Sequence, residues 1–73
     1  MNFVVIFEQG ATSVGAYVPD LPGCVAVGDT HEEAQQLITE AIQLHLVGMQ
    51  EDGTPLPTPV SSATVLAFPS FAA

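Results

Sequence analysis

The chain opens on residues 2–8 (NFVVIFE), which are apolar at both alternating sets of positions. That pattern belongs to a strand covered on both faces, and so to the middle of a sheet rather than a solvated edge. Residues 9–13 (QGATS) break the run with a glycine and small polar side chains, and residues 14–18 (VGAYV) read as the returning strand of a hairpin. Residues 19–23 (PDLPG) turn the chain again. Pro19 and Pro22 fix φ, Asp20 can bond its own backbone, and Gly23 accepts a positive φ. Residues 24–28 (CVAVG) then make a third short strand.

At Asp29-Thr30-His31-Glu32-Glu33 the hydrophobic period changes to that of a helix. Thr30 and Glu33 have capping-box spacing, in which hydroxyl and carboxylate each satisfy an orphan backbone N–H. Glu32 and Glu33 also suit the positive end of the helix dipole. Ala34, Leu37, Ile38, Ala41, Ile42 and Met49 form the apolar stripe, with Gln36, Glu40, Gln43 and Gln50 opposite. Gly53 is a natural stop, and Pro55, Pro57 and Pro59 bar continuation. A helix from Thr30 to Asp52 is roughly 35 Å long, whereas a short strand spans only about 20 Å. Its last turns overhang the sheet, so Leu46, Val47 and Met49 need cover. Residues 63–68 (ATVLAF) read as a fourth strand, followed by a short tail over 69–73.

The predicted fold is α+β in the order β-β-β-α-β, one helix layered on a four-stranded mixed sheet. Two hairpins make the first three strands antiparallel neighbours. A right-handed crossover through the helix sets the fourth beside the first, giving sheet order 3-2-1-4. One helix covers only one face, so the other stays partly bare, a common mark of an interface.

Seventy-three residues make a single domain, 1–73, without internal repeats. A chain of this size buries only roughly 60% of its unfolded surface, so self-association into a homodimer or higher homo-oligomer is expected. Nothing approaches the roughly 20 apolar residues of a membrane span. The N-terminus has no basic region of a signal peptide. The lone cysteine excludes an internal disulfide. A cytoplasmic protein is expected.

Charge narrows the function further. There are eight acids and neither lysine nor arginine. Nucleic-acid binding rests on neutralising phosphates with basic side chains, so direct DNA or RNA binding is excluded, as are anionic membrane surfaces. A basic partner would instead be steered towards such a chain.

Chemistry is sparse. His31 lies in the first helical turn beside Asp29 and Glu32, but sequence neighbours rarely converge on a metal, and it reads as solvated surface. His45 falls near the apolar stripe, about 21 Å along the axis from His31, too far to share a site. Cys24 has no cationic neighbour to lower its thiol pKa and reads as a small packed residue. Ser61 and Ser62 have no base to activate them. The strand order is also that of the opening of the ribonuclease H fold, whose nucleases hold metal ions on clustered carboxylates. Here Glu8 ends the first strand and Glu40 is mid-helix, but ATVLAF has no acid. Two-metal chemistry lacks its ligands. No catalytic residue, metal or cofactor is expected, and the protein reads as a non-enzyme.

The motif run D-L-P-G-C at 20–24, G-D-T at 28–30, E-E-A at 32–34, E-A-I at 40–42 and D-G through P-T-P at 52–59 resembles the HicB antitoxin family. The resemblance covers roughly residues 2–67. It implies a partial ribonuclease H-like fold, with Pro19, Pro22, Gly23, Thr30, Gly53 and Pro57 as fold-defining residues. It also implies an antitoxin that binds and occludes a HicA-type toxin, a small basic mRNA-cleaving protein. Asp20, Asp29, Glu32 and Glu33, acids at the joint and the helix start, are the partner-binding candidates. Many HicB proteins carry a C-terminal DNA-binding domain. None follows here, so autorepression by this chain alone is not expected. The alternative is an orphan HicB-like module acting as an oligomeric scaffold or small-ligand sensor.

Overall fold

The computed structural model describes residues 1–70; the end of the tail expected at 69–73 lies outside them. β1 (Ile6–Gln9), β2 (Val14–Tyr17) and β3 (Val25–Gly28) precede a single helix, α1 (His31–Glu51). The three strands form one antiparallel sheet in the order β1-β2-β3.

Local chemistry explains each element. Gly10 donates its N–H to the Ser13 carbonyl at 2.8 Å, which closes the first hairpin. The β2–β3 connection is held by Leu21 N–H to the Val18 carbonyl at 3.1 Å and Cys24 N–H to the Leu21 carbonyl at 3.0 Å. Gly23 adopts φ 84°, a left-handed conformation that other residues reach only with strain. At the helix start, the Glu33 N–H donates to Thr30 Oγ1 at 3.1 Å, and the Asp29 N–H donates to Glu33 Oε1 at 2.8 Å. This is a variant of the expected capping box, in which the Glu33 carboxylate reaches the N–H of the residue before the N-cap instead of that of Thr30 itself. The helix ends in a Schellman motif, with the Thr54 N–H on the Met49 carbonyl at 2.9 Å, the Gly53 N–H on the Gln50 carbonyl at 3.2 Å, and Gly53 at φ 71°.

Register puts Phe7, Ala16 and Ala26 in one cross-strand row beneath the helix, and Ile6, Tyr17 and Val25 in a row on the other face. The core consists of Val14, Ala16, Val18, Leu21, Cys24, Ala34 and Ile38. Helix and sheet meet closely at Gly28, where a Cβ would lie 2.6 Å from the Ala34 backbone nitrogen. The helix packs chiefly on β3 and then on β2, off-centre from β1. As expected of an overhanging helix, its later turns are poorly covered: Leu44 and Val47 are exposed and Leu46 and Met49 only half-buried. Leu37, assigned above to the apolar stripe, is also exposed.

The four-stranded mixed sheet of order 3-2-1-4 is not formed. The sheet has three strands, all antiparallel, and β1 lies at its edge rather than in its middle. Residues 63–68 carry the side chains of a strand, but pair with nothing among the described residues. Val65 is 98% exposed, and Leu66 and Phe68 are also exposed. The physical reason is that strand propensity describes fit to a pleated, half-buried surface. It cannot supply the partner that the ladder needs. The partial ribonuclease H-like arrangement, which depends on that fourth strand, goes with it.

Candidate functional site

The acids singled out from sequence do not form one cluster: Asp20 lies in the β2–β3 turn, at the opposite end of β3 from Asp29, Glu32 and Glu33 at the helix start. Asp20 half-emerges from the β2–β3 turn and is engaged. Its Oδ2 accepts the N–H groups of Val60 at 3.2 Å and Ser61 at 3.0 Å, and its Oδ1 accepts the Ser61 hydroxyl at 2.9 Å. The Ser61 backbone N–H is the main reason its carboxyl is held below the ordinary value of 3.8, since a charged acceptor is favoured by the donors around it. Glu33 is likewise occupied by the helix cap.

Asp29 and Glu32 differ. Both are exposed, and neither carboxylate has a hydrogen-bond or ionic partner among the described residues. Glu32 continues along the outer face of α1 into Gln35, Gln36, Thr39 and Glu40, which line one shallow open depression. Ala34 and Ile38, one helical step away, are buried against the sheet. Helical periodicity alone therefore turns an acidic and amide-rich stripe outward. The chain has no lysine or arginine to compensate that charge.

The opposite face of the sheet is bare and largely apolar, with Glu8 in its Gly15–Val27 row. Tyr17, Val25 and Val27 are exposed there, the two valines by more than 60% each. This agrees with the uncovered face expected from one helix on one sheet.

Thr30 caps the helix, and Gly23 and Gly53 take positive φ. Pro19 and Pro22 are exposed on either side of the turn, and Pro57 is half-buried. Cys24 is buried in the core, and burial pushes its thiol up from 9.0. His31 stacks on Phe7 with ring centroids 4.1 Å apart. Among the described residues no group of three or more His, Cys, Asp or Glu side chains converges to hold a metal. No described helix is long and apolar enough to cross a membrane.

Sequence reasoning missed two things. Leu21 is 1% exposed and plugs the core from within the turn; a single leucine among prolines, aspartate and glycine was its only signal. The Asp20–Ser61 clamp joins residues 41 positions apart, and no local pattern announces it.

The family described as HicB-like antitoxin of bacterial toxin-antitoxin systems matches residues 3–73. An uncharacterized protein encoded in the rep-hol intergenic region of Haemophilus phage HP1 is 52% identical over 57 residues, which are 78% of this chain and 43% of that protein. A UPF0150 protein of Synechocystis is 40% identical over 57 residues, 77% of this chain and 72% of the relative. A UPF0150 protein of Helicobacter pylori is 40% identical over 47 residues, 64% and 65% of the two chains. The matched segment thus spans less than half of the phage relative. No solved structure matches the chain. The chain belongs to the HicB-like antitoxin family.

Proposed function

We propose that this member of the HicB-like antitoxin family binds a small basic HicA-type, mRNA-cleaving toxin and neutralises it by occlusion, without catalysis of its own. The observation that supports this reading is the outward acidic face of α1 on a chain with eight acids and no compensating base. A toxin that grips RNA must present cations to phosphates. An acidic surface competes for those cations and speeds encounter by long-range attraction. Asp29 and Glu32 are the contacts best placed for this, because their charge is not spent inside the chain. Asp20 and Glu33 contribute their field while holding the tail and the helix cap. A toxin acting on mRNA would place the pair in the cytoplasm.

The test is co-expression with the small basic protein encoded beside this gene. Growth rescue and co-purification are expected, with a complex weakened by salt and by Asp29→Asn combined with Glu32→Gln. That double variant keeps the cap and the Asp20 clamp, so a lost complex reports the surface rather than the fold. A folded chain that neither binds nor rescues would overturn the reading and leave the alternative of an orphan scaffold or ligand-sensing module, for which the bare sheet face is the favouring observation.

A further inference from the structure

We infer that residues 63–68 are an exchanged strand, which one copy of this chain adds to the open outer edge of β1 in a second copy. The inference concerns self-association and stands independently of the toxin reading. Each chain's own sheet remains three-stranded.

The first observation is β1 and the residues that lead into it. Phe3, Val4, Val5, Ile6 and Phe7 are apolar on both faces, and every one of them is only half-buried. A two-sided apolar strand belongs between neighbours, but β1 has a neighbour on one side alone. Among the described residues its outer edge has no ladder partner for its backbone N–H and C=O groups. Of the usual protections it carries only the charge of Glu8, near its end, since residues 2–9 contain neither lysine nor proline. The off-centre helix does not shield it.

The second observation is the segment itself. ATVLAF combines β-branched and aromatic residues suited to a sheet, but Val65, Leu66 and Phe68 are exposed to water and no ladder is made. The molecule is correspondingly drawn out: its radius of gyration is 14.9 Å, against about 11 Å for a compact chain of this length. An unpaired edge and a matching unpaired strand are both present in one chain, and the chain does not join them to each other.

The third observation is the anchor. Asp20 fixes Val60 and Ser61 beside the β2–β3 turn, so the segment leaves the domain from a set point. From there residues 62–68 reach at most about 23 Å, enough to lie along a strand of an adjacent molecule. Reciprocal donation by two copies is closed and two-fold, and it satisfies both edges at once.

The experiment uses the full chain. Sedimentation should give twice the 7.6 kDa chain mass. A sample mixed from isotope-labelled and unlabelled chains should show intermolecular backbone contacts between residues 63–68 and β1. The variant Val65→Pro with Leu66→Pro removes two successive N–H donors, so one of them faces the acceptor strand in any register. Because Val65 and Leu66 make no backbone hydrogen bond to the described residues of their own chain, the variant should become monomeric with its circular dichroism retained. A monomeric wild type, contacts confined to one chain, or a dimer that persists in the proline variant would overturn the inference.

Discussion

The close approach of α1 to β3 at Gly28 offers a demanding test of how helix and sheet are joined. In Gly28→Ala the new Cβ would sit 2.6 Å from the Ala34 nitrogen, 3.0 Å from its Cα and 3.1 Å from the Glu33 carbonyl carbon. All three are helix backbone, so no side chain can swing aside. Restoring ordinary contact near 3.5 Å moves the helix start roughly 0.9 Å from β3. Overpacking of this kind costs about 1–3 kcal/mol. The same displacement strains the Thr30–Glu33 cap, whose loss adds about 1 kcal/mol. A fall of about 2–4 kcal/mol is expected, with Tm lowered by about 10–30 °C. For a domain with only about 4–11 kcal/mol in total, this is a large fraction. Far-ultraviolet circular dichroism during thermal and urea unfolding, at one fixed protein concentration, measures it. Gly15→Ala is the control: it also lies in a strand, but its Cβ would meet nothing closer than the Glu8 carbonyl at 4.0 Å. The control should stay within about 0.5 kcal/mol of wild type. Equal stability of the two variants would refute the claim that close backbone approach is what requires glycine at position 28.

Ile38 is 1% exposed where α1 meets the sheet, so Ile38→Ala should cost about 2–5 kcal/mol in urea unfolding; a loss below about 1 kcal/mol would mean the site collapses around the truncation. The Asp20 carboxyl has a folded pKa below its ordinary 3.8, so the stability it contributes is complete above that value and is lost as pH falls through the folded pKa. The Ser61 amide resonance should therefore follow the protonation of Asp20 with a midpoint below 3.8, and a midpoint above 3.8 would contradict the clamp. Cys24 is buried, with its thiol pKa raised by that burial. Alkylation at mildly alkaline pH should be slow in the native protein and fast in urea, and equal rates would place Cys24 at the surface.

Much of this protein was determined by short-range chemistry, and those parts were legible in the sequence. Glycine and small polar residues closed the first hairpin, Gly23 supplied a positive φ, Thr30 and Glu33 met across one helical turn, and Gly53 ended the helix where its αL conformation satisfied the last carbonyls. Each of these depends on atoms within a few residues of one another. The acidic outer face of α1 was also legible, because helical periodicity decides it once Ala34 and Ile38 face inward.

What only the tertiary structure decided were the contacts between distant parts of the chain. Residues 63–68 have the composition of a strand, but whether a ladder forms depends on an edge elsewhere, and the chain leaves β1 open at that edge. The apolarity of residues 2–8 predicts a central strand, although it records only that both faces seek cover and not which molecule supplies it. Leu21 entered the core because the turn around it closed in one particular way, and Asp20 found Ser61 across 41 positions. Local propensity is a property of neighbouring residues, whereas burial and pairing belong to surfaces that exist only after the chain has folded.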